Sequence, residues 1–245
     1  MGIKLYQWQT IEREPSDCYF CMKLESYLKA MTIDYATEMT FDMRVSPTGK
    51  FPFIEYDDQV FKDSYTAIKH LESKALTPMQ ISLNKSQIFE SCSLIRLIED
   101  HLYIIVLYSR WLDKSTYHYW EERIKKNWSI PNLLSRIMLR SMQKDIQKKV
   151  DSHNMGIYSM QEIYELGCHD ITILSHYLSN KRFFYDNRPT LLDHCVYSIV
   201  GSILNMPWKY DLKSHLLSKN NLISHYQAMM TSFFPNYKGK VFDYE

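Results

Sequence analysis

The stretch Glu14-Pro15-Ser16-Asp17-Cys18-Tyr19-Phe20-Cys21-Met22-Lys23-Leu24-Glu25-Ser26-Tyr27-Leu28 decides the fold. A short apolar run, Ile3 to Trp8, precedes it and reads as a strand. Behind Cys18, the residues Phe20, Leu24, Tyr27, Leu28 and Met31 recur at helical spacing. Cys18 therefore stands where a loop hands over to a helix. The first turn of a helix carries unpaired N–H groups and the positive end of the helix dipole. Both favour thiolate over thiol, which makes a cysteine there a candidate nucleophile. Asp17 works against this, because a neighbouring carboxylate disfavours the thiolate; the helix start is expected to prevail. Among the five cysteines, Cys18 alone is expected to be exposed and activated. Cys21, one turn further in, either resolves a mixed disulfide or packs inward as a small hydrophobe. Lys23 either meets a ligand carboxylate or lies exposed on the helix surface.

About thirty residues on, Lys50-Phe51-Pro52-Phe53-Ile54-Glu55 sets a proline just before a short β-like run. Asp57-Asp58 reads as a turn and Gln59 to Lys62 as the returning strand. Asp63-Ser64 then opens a second helical pattern, with Ala67, Ile68 and Leu71 on one face. A Cys-x-x-Cys by itself can be half a zinc site. No second Cys-x-x-Cys or paired His cluster follows, so no metal is expected.

The order strand, cysteine at a helix start, helix, β region, proline hairpin, Asp-Ser, helix resembles the thioredoxin-fold half of the glutathione transferase superfamily. Cys18-Tyr19-Phe20-Cys21-Met22-Lys23 is similar to the glutaredoxin Cys-Pro-Tyr-Cys-x-Lys motif, with Tyr19 where proline is usual. Pro52 matches the family's cis-proline and Asp63-Ser64 its acidic-Ser pair. The resemblance implies glutathione as the ligand or substrate. The Phe51 backbone would pair with it as an added strand. Ser64 would bond its γ-glutamyl carboxylate at a helix N-terminus, and Asp63 would take its amino group. Cys18 would attack a disulfide or an electrophile, or bond covalently to glutathione. The plain alternatives are an inert helix-start cysteine and ordinary capping by Asp63 and Ser64.

At 245 residues the chain holds one large domain or two small ones. A net charge of +1 points to neither nucleic acid nor an anionic membrane. No secretory signal is expected, since Met1-Gly2-Ile3-Lys4 leads straight into a strand-like run. The longest apolar run, Leu102 to Tyr108, is too short to span a bilayer, and no anchor is expected after the last helix. Tyr6 stands where a myristoylation motif wants Ser or Thr. Five cysteines do not fit a disulfide framework, so a reducing cytosol is the expected compartment.

The first domain is expected over residues 1–73, a linker with Leu76-Thr77-Pro78 over 74–87, and an all-helical domain over 88–245. Ile88, Cys92, Ile95, Leu102, Ile105 and Val106 form one stripe. Residues 113–132 read as irregular. Pro131 suits a first turn, and Leu134, Ile137, Met138, Met142 and Ile146 carry the helix behind it. Ser159-Met160-Gln161-Glu162 is a capping box, and Thr190 to Asp193 a second. Ser179-Asn180 and Asp186-Asn187 are turn-like. The run Leu192, Cys195, Val196, Ile199, Val200, Ile203, Leu204 is apolar nearly all round, which marks a buried central helix. Asn220 to Phe234 closes as an amphipathic helix. Cys92, Cys168 and Cys195 read as packing. Tyr6 reads as a strand residue, although a strand-end tyrosine activates glutathione in some transferases.

An α/β thioredoxin-like half followed by an all-α helical bundle is the glutathione transferase architecture. The second half resembles the failed axon connections and metaxin group. That resemblance rests on Glu99-Asp100-His101-Leu102-Tyr103, Arg110-Trp111, Gly156-Ile157-Tyr158-Ser159, Arg182-Phe183-Phe184 and Asn221 to Tyr226. Two function classes follow. One is a glutathione-dependent transferase using Cys18, with Tyr103, Tyr108 and Trp111 lining the cosubstrate pocket or simply packing. The other is a transferase-fold module for protein contacts, which the metaxin resemblance implies. The family resemblance also allows a homodimer.

Overall fold

The computed structural model describes residues 2–8, 16–40, 42–76, 78–79, 82–127, 132–185 and 188–237, with backbone alone at 120, 123–124, 126–127 and 132–135. Thr77 of the linker, Pro131 and the Asp186-Asn187 turn lie outside the described residues.

Strand β1 (Ile3–Trp8) alternates, burying Ile3, Leu5 and Gln7 on one face. It pairs in parallel with β2 (Tyr35–Thr40), Ile3 opposite Tyr35, and antiparallel with β3 (Phe53–Tyr56), Leu5 opposite Ile54. Strand β4 (Gln59–Phe61) returns along β3, giving the order β2-β1-β3-β4. The β3–β4 turn is Asp57-Asp58, at φ 49 and 58. Positive φ at both central residues suits a two-residue hairpin.

Helix α1 (Tyr19–Ala30) links β1 to β2, and α2 (Ser64–Lys74) follows β4. Leu24, Tyr27 and Leu28 of α1 and Ala67, Ile68 and Leu71 of α2 cover the sheet face that carries Leu5 and Ile54.

The helical half begins with α3 (Lys85–Arg96). It runs through a π turn (Leu97–Leu102) straight into α4 (Tyr103–Trp111). A π turn inserts one residue and rotates the apolar face. The expected stripe is corrected accordingly: Ser91, Leu94 and Ile98 are buried before Leu102, while Cys92 is exposed and Ile88 and Ile95 are half-buried.

Residues 114–127, expected to be irregular, form α5 (Lys114–Asn127). Asp113 starts it by accepting from the Ser115 N–H at 2.8 Å and its hydroxyl at 2.6 Å. Helix α6 (Asn132–Ser152) follows, with Met138, Met142 and Ile146 packed on the core as expected and Leu139 and Val150 buried beside them; Ile137 departs from the expectation, at 58% exposed, and the Leu134 side chain lies outside the described ones. Helix α7 (Met160–Leu178) opens on the Ser159–Glu162 capping box.

Helix α8 (Leu191–Leu204) is buried along nearly its whole length. Its capping box closes as Asp193 accepts from the Thr190 N–H at 2.7 Å. Asp193 also pairs with His225 of α10 at 3.0 Å, both side chains fully buried. Helices α9 (Asp211–Leu217) and α10 (Asn220–Phe233) complete the bundle. Met22 and Tyr19 of α1 join the core around α8. The close approach needs Gly201, where a Cβ would stand 2.4 Å from Met22 Cε and 2.9 Å from the Tyr226 ring.

Candidate active site

Sheet register gathers three sequence-distant segments at one end of the sheet. Tyr6, near the end of β1, pairs with Phe53 at the start of β3, and Phe61 at the end of β4 pairs with Ile54. Cys18 after β1, Pro52 before β3 and Asp63-Ser64 after β4 therefore share that end. The Phe51–Pro52 bond is cis, as expected from the sequence.

Cys18 is the N-cap of α1, with extended backbone (φ −90, ψ 122). Its carbonyl accepts from the Met22 N–H at 2.9 Å, and its own N–H donates to Ser16 Oγ at 3.2 Å. The thiol is half-buried. One wall is built by Trp8, Met43 and Phe51, with Cys21 and Phe53 behind. Trp8 meets Phe51 edge-on at 5.2 Å. Tyr103 stands on the other side, edge-on to Phe20 at 5.0 Å. Tyr6 stacks on Phe53 at 4.3 Å and donates to Glu55 at 2.9 Å, which makes it a strand residue.

The Cys18 thiol is pulled down to about 7. A hydrogen bond from the Cys21 thiol is the largest cause; the N–H groups of Cys21 and Phe20 and the Arg110 charge add to it, against burial. Burial pushes the Cys21 thiol up. The two neighbouring thiols are thus pushed in opposite directions, Cys18 towards thiolate and Cys21 towards thiol. Arg110 is buried and donates to the carbonyls of Asp17 at 3.0 Å and Ser202 at 2.7 Å. Sequence reasoning gave Arg110 no role, since its partners lie about ninety residues away.

Asp63 caps α2, accepting from the Thr66 N–H at 2.7 Å. Ser64, the first residue of α2, is buried. Lys23 corrects both expectations held for it. It is 4% exposed and its ammonium lies 2.5 Å from Glu99, so it is neither a surface lysine nor a free partner for a ligand.

Of the three candidate pocket aromatics, Tyr103 faces the Cys18 side. Tyr108 packs edge-on against Tyr164 at 6.1 Å, and Trp111 is buried in the helical core. The expectation that Cys18 alone is exposed is also corrected: Cys92 is exposed and Cys168 half-buried. Cys195 is buried, its thiol pushed up to about 12 chiefly by that burial. Among the described residues no group of three or more His, Cys, Asp or Glu is placed to hold a metal. No helix among them is long and apolar enough to cross a membrane.

The model of the glutathione S-transferase N-terminal domain matches residues 19–116, and that of the glutathione S-transferase C-terminal domain matches residues 167–229. The chain belongs to the glutathione transferase superfamily. Within it, this transferase-family chain is 29% identical to Failed axon connections of Drosophila melanogaster over 96% of its own length. It spans only 59% of that relative. It is 26% identical to an isoprene-epoxide–glutathione S-transferase of Rhodococcus sp., covering 87% of this chain and 92% of the relative. Metaxin-2 of Mus musculus is 24% identical, over 80% of this chain and 75% of the relative. A glutathione S-transferase of Methylobacterium radiotolerans, solved with glutathione sulfonate, overlays all of both chains with a TM-score of 0.60 at 14% identity. That overlay shows a shared transferase fold.

Proposed function

We propose that this protein binds glutathione and transfers thiols through Cys18. The observation that carries the reading is a helix-capping thiol held near 7, hydrogen-bonded by a buried second thiol and set beside Pro52 and Ser64. The Cys18 thiolate attacks the glutathionyl sulfur of a mixed disulfide. The old S–S bond breaks and the substrate sulfur leaves with the electron pair, taking a proton from water. Cys18 then carries glutathione. A second glutathione, as thiolate, attacks that disulfide; glutathione disulfide leaves and the Cys18 thiolate returns. Cys21 is the alternative resolving thiol, since it lies in the first turn of the helix that Cys18 caps. Conjugation to an electrophile uses the same site, with glutathione thiolate as the attacking group.

Ser64 receives the γ-glutamyl carboxylate at the start of α2, where unpaired N–H groups suit an anion. Asp63 takes the amino group with the carboxylate oxygen left over from capping. Five free cysteines suit a reducing compartment, and we place the protein in the cytosol.

A second reading is favoured by the likeness to Metaxin-2 and by Tyr19 in place of the glutaredoxin proline: a non-catalytic module for protein contacts. Calorimetric titration with reduced glutathione and with S-hexylglutathione separates the two, together with reduction of a glutathionylated peptide. Binding of reduced glutathione, with peptide reduction lost in Cys18→Ser, supports the first reading. Absence of both binding and turnover leaves the second.

A further inference from the structure

Beside Cys18 the site carries two cations for which the steps above have no use. Lys50 immediately precedes Phe51. Its backbone is fixed on both sides by one hydroxyl: the Lys50 N–H donates to Ser46 Oγ at 3.0 Å, and that hydroxyl donates to the Lys50 carbonyl at 2.5 Å. Lys149 comes from α6 and holds its ammonium over the Tyr103 ring, 5.2 Å from the centroid. Both residues are exposed overall. We propose that Lys50 and Lys149 form a cationic rim over Tyr103 that draws carboxylate-bearing electrophiles and disulfides to Cys18.

Three observations support this. The two lysines share one electrostatic neighbourhood: burial and then the Lys50 charge hold the Lys149 ammonium below its ordinary range. Tyr103 links that neighbourhood to the thiol, since its phenol is pushed up by burial and then by the Cys18 charge. The acids nearby offset the cations only in part, the Asp100 charge acting on Lys149 less than the Lys50 charge does. Asp100 is the acid whose charge reaches Lys149, whereas Glu99 is engaged by Lys23 at 2.5 Å. Arg110 adds a third positive charge felt by both Tyr103 and Cys18. The chain as a whole is only +1, so this excess is local. A cleft lined by one sign of charge raises the local concentration of the opposite sign.

The inference rests on Cys18 being the nucleophile, and its test keeps the two claims apart. The full chain is alkylated with iodoacetate, which is anionic, and with iodoacetamide, which is neutral. In either reaction the Cys18 S–C bond forms, the C–I bond breaks and iodide leaves with the electron pair. Rates at Cys18 and at exposed Cys92 are read separately by mass spectrometry. Any effect of the lysines on thiolate content moves both reagents alike, so the iodoacetate-to-iodoacetamide ratio isolates steering. In Lys50→Gln/Lys149→Gln that ratio is expected to fall about fivefold at Cys18 and to stay constant at Cys92. Added salt should shrink the wild-type preference, because the screening length is roughly 8 Å at physiological ionic strength. Equal ratios in wild type and variant, with Cys18 labelled by both reagents, overturn the rim alone. Labelling of Cys18 by neither reagent faster than in the unfolded chain overturns the nucleophile reading and the rim with it.

Discussion

Lys23 and Glu99 meet across the two halves of the molecule, Nζ to Oε1 at 2.5 Å, and Tyr19 donates to the same oxygen at 3.0 Å. The lysine end is buried and the glutamate end is 22% exposed. Taking away the glutamate strands a buried ammonium, whereas taking away the lysine leaves a carboxylate that still accepts from Tyr19 and reaches water. Glu99→Ala is therefore expected to cost about 3 kcal/mol, at the low end for a broken buried pair because Glu99 is partly wet. Lys23→Met should cost clearly less. Urea unfolding of the two variants checks the asymmetry; equal losses would show that the pair acts as an ordinary surface bridge.

Ser64→Ala should weaken glutathione binding several-fold or more, since a hydrogen bond to a charged group is worth about 1.5–3 kcal/mol. Asp63→Asn separates ligand from fold. Asparagine caps as well as aspartate, so the Thr66 N–H keeps its acceptor while the charge for the ligand's amino group is lost. Calorimetry should find weaker binding in both variants with unchanged melting in Asp63→Asn. Unaltered affinity in both would place the ligand elsewhere.

The rate of Cys18 alkylation should rise with pH through an inflection near 7. Cys21→Ala removes the strongest cause of that low value, so the inflection should move up towards the roughly 8.5 of a free thiol. Cys18→Ser should abolish the fast phase. An inflection that ignores Cys21 would mean that the helix start and Arg110 act without the second thiol.

Acid stability carries a separate signature at His194. Burial holds this imidazole down to about 4 from an ordinary 6.5, and its Nδ1 lies 2.9 Å from Ser26 Oγ. The unfolded chain binds a proton here between those values and the folded chain does not. The contribution is therefore complete above 6.5 and is lost as pH falls towards 4, amounting to about 3 kcal/mol. In urea unfolding followed from pH 7 to 4, His194→Gln should flatten this fall relative to wild type. A parallel fall in both proteins would assign the acid sensitivity to another group.

Gly201→Ala should destabilise by about 1–3 kcal/mol, the usual cost of an overpacked core. The added methyl meets Met22 Cε and the Tyr226 ring. The rigid ring cannot step aside as the methionine can, so Met22→Ala is expected to recover part of the loss. Thermal melting of the single and double variants reads the recovery.

Cys18, Pro52 and Ser64 were legible in the sequence because each sits beside a local signal: a helix start, a β-like run behind proline, an acidic cap. Helix α8 was legible because it is apolar all round. Lys23 was not. A lysine in an amphipathic pattern reads as surface, and only its partner 76 residues away explains its burial. The face of α3 and the place of Ile137 in α6 were misjudged for related reasons. Periodicity assumes a constant pitch, which the π turn breaks, and Ile137 shows that an apolar residue can stay in water. Arg110 was visible as part of a family pattern, but its hydrogen bonds to two backbone carbonyls have no trace in local sequence.

The π turn has a bearing on how this chain can vary. Within it Glu99 answers Lys23 in α1, Asp100 feels Lys149 in α6, and His101 meets Asp170 in α7 at 2.5 Å. Removing one residue between 97 and 102 would restore an ordinary helix and swing everything after it by about 100°. Those three appointments and the buried row of α4 could not all be kept. Most surface connections tolerate a change of length. Here the number of residues is itself a structural requirement, and a descendant could exchange the amino acids of this turn more readily than it could drop one.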